Sequence, residues 1–160
     1  MKATQFEETQ RFRQPWIWML LGVLTLYVGY EVAINWDQNK TFTQAYPLLV
    51  VISVLLLFLT MRLQTRVVNG QLFYKYTPII NSWRKYSFDE IETMELITYN
   101  SLLQFGGWGI RFNADAWLYN VAGKHGIKVV TAKQKFIIGT SKPEEAALII
   151  EQFKAHKHAK

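Results

Sequence analysis

Two long apolar segments close to the N-terminus constrain this chain more than any other feature. The first, residues 16–34, contains one charged residue, Glu31, and the second, residues 46–61, contains none. At a rise of about 1.5 Å per residue they reach about 28 Å and about 24 Å, against a hydrocarbon core about 30 Å thick. Their apolar residues occupy every face of a helix rather than one stripe. We therefore expect both segments to cross a membrane rather than to form a soluble core.

The residues that flank these segments predict their orientation. The connection 35–45 has only Lys40, beside Asp37, whereas several basic residues precede the first segment and follow the second. Because the cytoplasmic side of a membrane protein carries the excess of Lys and Arg, we expect a helical hairpin at 16–61 with both termini in the cytoplasm. We thus expect a multi-pass protein of the cell membrane. Aromatic residues typical of the membrane interface lie near the segment ends: Trp16, Trp18, Tyr30, Trp36 and Tyr46.

No small-residue cleavage pattern follows the first apolar segment, and a second apolar segment comes after it. We therefore expect a retained anchor rather than a cleaved signal peptide. Around the hairpin we expect a cytoplasmic N-terminal segment at 1–15, a cytoplasmic domain at 62–155 and a polar basic tail at 156–160. The net charge of +6 falls entirely after residue 61.

Small residues recur along one face of the first apolar segment. Gly22, Thr25 and Gly29 lie three to four positions apart, and Ala33 continues the series. Such a stripe lets the backbone of another helix approach closely. We expect the second segment to pack there at Ser53, and the same stripe would also suit a dimer.

From residue 62 onward the sequence changes to short alternating segments rich in β-branched and aromatic residues. The first two flank Asn69-Gly70, a dipeptide that favours a tight β-hairpin. Glycine-rich and polar turns separate most of the others. Candidate strand segments lie at 65–68, 71–76, 83–88, 92–99, 108–112, 117–121, 127–131 and 136–140, and together they predict an antiparallel sheet of about seven strands.

The chain ends in a predicted amphipathic helix. Ser141 is the expected N-cap, with Pro143 in the first turn and Glu144 three residues after the serine. Its apolar residues are spaced so that one stripe docks on the sheet: Ala146, Ile149, Ile150 and Phe153. Together these elements predict an α+β membrane protein in which a bent antiparallel sheet or split barrel is closed by a C-terminal helix, as in pleckstrin-homology (PH)-like domains.

Three motifs also carry a resemblance to a family: GGWGIR at 106–111, YNV at 119–121 followed by Gly123 and Gly126, and IGTSKPEE at 138–145. With these motifs the chain resembles small bacterial membrane proteins that have two N-terminal transmembrane helices and a bacterial PH-like domain. The resemblance extends over essentially the whole chain. It implies a fold and a location rather than an activity.

Composition argues against most enzyme classes. The chain has no cysteine, which excludes thiol nucleophiles, disulfides and iron–sulfur clusters. His156 and His158 lie in the predicted tail, His125 lies in a predicted turn without an identifiable partner, and the acids between Asp89 and Glu95 lie at a strand edge. We expect a non-enzymatic protein without cofactor, metal site or small-molecule substrate. Neither a basic helical stripe nor a nucleic-acid-binding motif is present.

The expected partners are therefore membrane lipids and either another membrane protein or a second copy of this chain. An interaction or scaffold module at the inner membrane face is the first hypothesis, and binding of anionic lipid is the alternative. Arg111 follows the glycine run on a predicted strand, where it either pairs with an acid or binds an anion. The residues expected to contact lipid or a partner are Arg111, Lys124, Lys128 and Lys133.

Overall fold

The computed structural model describes residues 6–35 and 41–159. The chain divides into two compact units. The helix unit is Phe12–Met61, and the β unit combines Met1–Arg11 with Arg62–Lys160. The β unit is therefore assembled from both sides of the apolar segments, which the sequence analysis did not anticipate.

The helix unit consists of α1, Pro15–Ile34, and α2, Thr41–Thr60. Pro15 opens α1 at a position where its missing N–H costs nothing. α2 begins at Thr41, so residues 41–45 of the predicted connection 35–45 belong to the helix instead. Residues 36–40 lie outside the described part of the chain. The two helices contact each other. Their buried apolar residues include Ile17 and Leu21 of α1 and Val51 of α2.

Sheet A has four antiparallel strands in the order β1-β2-β3-β4: Phe6–Arg11, Arg62–Val68, Gln71–Thr77 and Ile80–Ser87. Asn69 and Gly70, at φ 50° and 69°, form the turn between β2 and β3. Positive φ at both positions suits the twist of a two-residue hairpin, so this prediction is confirmed. β1 was not predicted, because its sequence FEETQR is short and mostly polar.

Sheet B has five strands in the order β5-β8-β9-β7-β6. Each of its five strands overlaps a predicted segment, but β7 and β9 pair in parallel. The sheet is therefore mixed, and the prediction of a purely antiparallel sheet is wrong at this pair. The strands are β5 Ile91–Thr98, β6 Gly109–Phe112, β7 Trp117–Asn120, β8 His125–Thr131 and β9 Lys135–Thr140.

Two helices complete the β unit: α3, Ser101–Phe105, and α4, Pro143–His158. The short α3 was not predicted; Asn100 caps it by accepting bonds from the N–H groups of Leu102 and Leu103. α4 buries the predicted apolar stripe, so this prediction is confirmed. Its N-cap is Lys142 rather than Ser141, and its last turn includes His156, so the predicted boundary of a tail at 156–160 is also wrong.

Alternation of buried and exposed residues produces the core of the β unit. In β2 and β3 every second side chain is buried, and Leu63, Leu72 and Tyr76 have no exposed surface. β7 differs, because Leu118, Tyr119 and Asn120 are all buried in succession. Burial on both faces is consistent with the place of β7 inside sheet B, between β9 and β6.

Candidate functional site

The surface of α1 is the largest apolar feature of the described chain. α1 has 20 residues and a mean hydropathy of 1.8 over its best 18-residue window, of which only 11% is buried. A core helix of a soluble domain would bury most of such a window. By length and composition α1 is suited to cross a membrane, as a signal sequence near an N-terminus would also be. Its most exposed side chains are Met19, Leu20, Val23, Leu26 and Tyr30.

α2 is equally long but less uniformly apolar. Its continuous apolar part is Ala45–Thr60, which is shorter than a full membrane span. Leu49, Leu56 and Leu59 are each more than half exposed. Among the described helices only α1 meets the length and hydropathy expected of a membrane span.

The small-residue stripe does not pack against α2 as predicted, and the alternative that it serves a dimer stays a prediction. A Cβ atom built on Gly22 or Gly29 would meet no atom within 4 Å, so neither glycine is in close contact with α2. Ser53 is exposed, and its hydroxyl donates to the backbone oxygen of Leu49 at 2.7 Å. The hydroxyl of Thr25 donates to Leu21 in the same way, at 2.6 Å. The two helices pack instead through larger side chains.

Glu8 joins β1 to the end of β9. Its carboxylate is 5% exposed and accepts hydrogen bonds from the Thr140 hydroxyl at 2.6 Å and from the Ser141 N–H at 2.7 Å. The Ser141 hydroxyl also donates to it, so this serine holds Glu8 instead of capping α4.

A second buried polar group centres on Asn120. Its side-chain amide donates to Ser101 Oγ at 2.7 Å and to the Tyr99 hydroxyl at 3.2 Å, and its side-chain oxygen accepts from the N–H of Gly109 at 3.0 Å. The Tyr76 hydroxyl donates to its backbone oxygen at 3.0 Å. Every polar atom of this buried side chain is thus satisfied, as a structural network requires.

Gly139 lies so close to Asn120 and Tyr99 that a side chain at this position would collide with both. A Cβ there would lie 2.8 Å from Asn120 Cβ and 3.0 Å from the Tyr99 hydroxyl. Gly126, its partner across β8 and β9, is crowded by the Tyr99 ring in the same way. The two glycines let Tyr99 lie on the sheet. Burial raises the pKa of Tyr99, so its hydroxyl remains a neutral donor and acceptor.

An aromatic cluster fills the side of the β unit around Tyr74. The Tyr74 ring lies 5.0 Å from Tyr119 and 5.3 Å from Phe136, measured between centroids. Arg84 donates to the hydroxyls of Tyr74 and Tyr119 at 3.4 Å and 3.3 Å. Burial raises the pKa of Tyr74, and of Tyr76 beside it, far above the ordinary value. These tyrosines are therefore core residues rather than acid–base catalysts at neutral pH.

The outward surface of sheet A combines basic and aromatic side chains. We call it the basic face and define it by Arg11, Arg62, Arg66, Lys75 and Lys85 together with Phe73 and Trp83. The Arg66 guanidinium lies 4.2 Å from the Trp83 ring centroid and 5.0 Å from that of Phe73. The Lys75 ammonium lies 4.7 Å from the Trp83 centroid. Sequence reasoning missed this surface, because four strands contribute to it.

The structure does not bring the predicted basic residues together. Lys124 precedes β8, Lys128 lies within it and Lys133 follows it, so about 20 Å of strand separates the first from the last. Arg111 is on β6, the edge strand at the other side of sheet B, and its Nε donates to the backbone oxygen of Trp108 at 3.1 Å. It is exposed and forms no ion pair with the described acids.

Among the described residues no group of three or more acids and histidines is placed to hold a metal ion. His156 Nε2 lies 2.9 Å from Asp89 Oδ1 in an exposed pair that joins α4 to the turn after β4. His156 is thus held by the fold, contrary to the expectation for a tail. His125 Nδ1 lies 3.3 Å from the Thr98 hydroxyl. Glu92 and Glu95 are exposed on β5.

A cavity of the described β unit adjoins α3 and has a volume of about 440 Å³. Tyr99, Ser101, Trp108 and Lys124 are among its lining residues. It is broadly open to solvent, and the polar atoms of Tyr99 and Ser101 already bond to Asn120. The chain matches no protein-family model, and comparison with curated proteins and with solved structures gives no significant match.

Proposed function

We propose that this protein is an integral membrane protein that presents the β unit as a non-enzymatic interaction module at the cytoplasmic face of the cell membrane. The observation that carries the proposal is the exposed apolar surface of α1, with only 11% of its most apolar window buried. Burial of an apolar surface contributes about 25 cal/mol per Å². Lipid around α1 supplies this burial, which the described chain does not.

In the proposed topology α2 crosses the membrane as a second span and makes a hairpin with α1. Its shorter apolar part, Ala45–Thr60, is accommodated by local thinning of the bilayer at a modest cost. Basic residues at both outer ends of the hairpin, Arg11, Arg13 and Arg62, favour the cytoplasmic side. A multi-pass protein with both termini in the cytoplasm follows.

We further propose that the β unit is a variant of the PH-like plan. Two sheets and a C-terminal helix that buries Ala146, Ile149 and Phe153 support this assignment. The additional N-terminal strand and the parallel β7–β9 pair are departures from a simple antiparallel meander. The partner of the module is membrane lipid, together with another membrane protein or a second copy of this chain.

Membrane extraction tests the first part of the proposal. Full-length protein should remain with the membrane fraction after alkaline carbonate and should leave it only with detergent. Recovery of monomeric protein from the soluble fraction without detergent would contradict the proposal. Retention of a shortened chain that lacks α1 would indicate that α1 is a cleaved signal sequence.

Cysteine labelling tests the topology, because the natural chain has no cysteine to remove. A single cysteine in place of Asn39 should react with an impermeant maleimide added outside intact cells. Asn113→Cys, in the turn between β6 and β7, should react only after the membrane is opened. The opposite labelling pattern, or reaction of both positions from outside, would overturn the predicted orientation.

A further inference from the structure

We propose that the basic face of sheet A docks on the headgroups of an anionic lipid leaflet. This inference rests on the proposed membrane anchoring and deepens it, because it assigns the lipid contact to a surface distinct from Lys124, Lys128 and Lys133. Four features of the basic face support it: its charge composition, the direct pairing of two arginines, a tryptophan ring beside two of its cations, and the short connections from its strands to the helices.

The charge composition follows from strand register. Opposite residues on β1, β2 and β3 place Glu7, Arg66 and Phe73 in one row, with Lys85 next to Phe73 on β4. Among the described residues of the four strands, this face carries five basic side chains and one acid, Glu7. A surface with this excess is complementary to lipid phosphates, and each basic side chain near an anionic leaflet strengthens the contact about fivefold.

Two arginines face each other directly across β1 and β2. Arg11 and Arg62 are cross-strand partners on the outward side, and both are exposed. Like charges in this arrangement repel, which destabilises the strand pair in water. A phosphate between the two guanidinium groups would remove the repulsion by accepting hydrogen bonds from both. The pair is thus a physical reason for an anion at this end of the face.

Trp83 gives the face its second membrane-compatible property. The Arg66 guanidinium and the Lys75 ammonium both lie within 5 Å of its ring centroid. Tryptophan is favoured at membrane interfaces because its large ring is apolar while its N–H can bond to water or headgroups. The two cations beside it bring positive charge to the level at which the ring would contact lipid.

Chain connectivity selects lipid over a soluble acidic partner. β1 ends at Arg11 and α1 begins at Pro15, while α2 ends at Thr60 and β2 begins at Arg62. At 3.8 Å per residue, Arg11 and Arg62 can be no further than about 15 Å and about 8 Å from those helix ends. If the helices cross the membrane, the chain keeps the arginine pair within these distances of the membrane ends of the helices. An acidic peptide would have to compete with lipid already present there.

A fluorescent label on the basic face tests the docking. Full-length Thr9→Cys, which places the label on the outward side of β1, is reconstituted in nanodiscs of phosphatidylcholine alone or of two parts phosphatidylcholine to one part phosphatidylglycerol. With an environment-sensitive dye we expect a blue shift only in the anionic nanodiscs. The shift should disappear in concentrated salt, because the Debye length falls to about 3 Å at 1 M. A label at Ala132→Cys, on the turn between β8 and β9, should not respond.

Two triple variants with the same loss of charge separate the basic face from general electrostatics. Replacement of Arg11, Arg62 and Lys85 by Gln should reduce the ratio of docked to undocked protein about hundredfold, from about fivefold for each charge. The matched replacement of Lys124, Lys128 and Lys133 by Gln should leave the shift unchanged. Equal effects of the two variants, or a shift that does not depend on lipid charge, would overturn the proposal.

Polyglutamate added to neutral nanodiscs tests whether the basic face binds an acidic protein surface instead of anionic lipid. We expect no shift of the Thr9→Cys label, and a shift would indicate an acidic protein surface as the partner instead of lipid. The test also separates the two levels of inference. Failure of the full chain to enter nanodiscs would contradict the membrane anchoring itself. Stable incorporation without a response to anionic lipid would overturn the docking alone.

Discussion

The helix unit and the β unit treat the same kinds of side chain in opposite ways. In the helix unit large apolar residues are turned outward, as shown by Leu26 at 75% exposure and Met19 at 70%. In the β unit the apolar residues of alternating strands are turned inward, and Leu63 and Leu118 have no exposure at all. One chain thus contains a unit that hides its apolar surface and a unit that displays it.

The difference indicates that the two units require different solvents. The described β unit exposes a minority of its large apolar side chains, Leu103 and Ile79 among them, and buries most of the others, as is usual for a surface in water. The described helix unit exposes apolar surface on nearly every side of α1, which in water would promote association or aggregation. In the proposed topology a bilayer removes this conflict, because lipid tails solvate the helix while the β unit remains in water.

The largest expected effect comes from a charge in the middle of α1. Leu26→Lys should disfavour membrane insertion by about 3 kcal/mol, because a lysine at the centre of a span is strongly unfavourable whereas leucine is favourable. The measurement is the fraction of full-length protein retained in membranes after carbonate extraction. Leu148→Lys, at a half-exposed leucine of α4, is the matched control and should not alter retention. Equal retention of both variants would show that the units do not differ in solvent.

The next effect tests whether β1 belongs to the β unit although it precedes the helices. Glu8→Ala should destabilise the β unit by about 2 kcal/mol, because it leaves the buried donors of Thr140 and Ser141 without an acceptor. Hydrogen exchange of the β9 amides in full-length protein measures the loss.

Glu7→Ala supplies the control for this prediction, because Glu7 is exposed on the opposite side of the same strand. Its effect should remain within about 0.5 kcal/mol, as for most surface substitutions. Glu8→Gln should have an intermediate effect, since its amide oxygen still accepts from Ser141. If Glu8→Ala were as mild as Glu7→Ala, the contact between β1 and β9 would contribute nothing to stability.

Local signals made much of this fold predictable. The apolar segments, the Asn69-Gly70 hairpin and the stripe of α4 each depend on residues close together in sequence, and the structure has all three. β1 escaped prediction because its inward side chains include Glu8 and Gln10, which interrupt the apolar alternation. Their partners, Thr140 and Gly139, lie about 130 residues further along the chain. Only the fold brings them together.

The candidate site shows the same limit more clearly. Lys124, Lys128 and Lys133 are near one another in sequence, but an extended strand spreads them along its length. Arg11 and Arg62 are far apart in sequence, and antiparallel pairing makes them neighbours. A charge cluster on a sheet depends on register, and the register of β1 with β2 cannot be read from either segment alone.

An alkaline titration examines the interior of the β unit. Burial raises the pKa of Tyr74 and Tyr76 above the ordinary value of about 10, so the folded state holds these protons more tightly than the unfolded state. The resulting stabilisation is complete below about pH 10 and is lost as the pH rises through the folded pKa values. In that range each tyrosine should contribute a slope of about 1.4 kcal/mol per pH unit to the free energy of unfolding.

Tyr74→Phe should remove one such slope, and Arg84 retains the Tyr119 hydroxyl as an acceptor in this variant. Phenolate absorbance of the folded chain should lag behind that of the chemically unfolded chain, which serves as the control. Titration of every tyrosine near pH 10 in the folded chain would contradict the burial of this cluster.

The smallest expected effect concerns an exposed ion pair on the surface of the β unit. The Lys135 ammonium lies 2.7 Å from Asp115 Oδ1, and its hydrogen bond lowers the pKa of Asp115. Because the folded pKa is lowered, the stabilisation is present above the unfolded pKa and is lost as the pH falls through the folded value. Lys135→Gln should raise the pKa of Asp115 toward its ordinary value, as followed by NMR of the carboxylate, whereas Lys142→Gln should not move it. Both side chains are about half exposed, so salt should produce part of the same shift. If neither salt nor Lys135→Gln changed the pKa of Asp115, this surface would not be in water. The proposed difference in solvent between the β unit and α1 would then be contradicted.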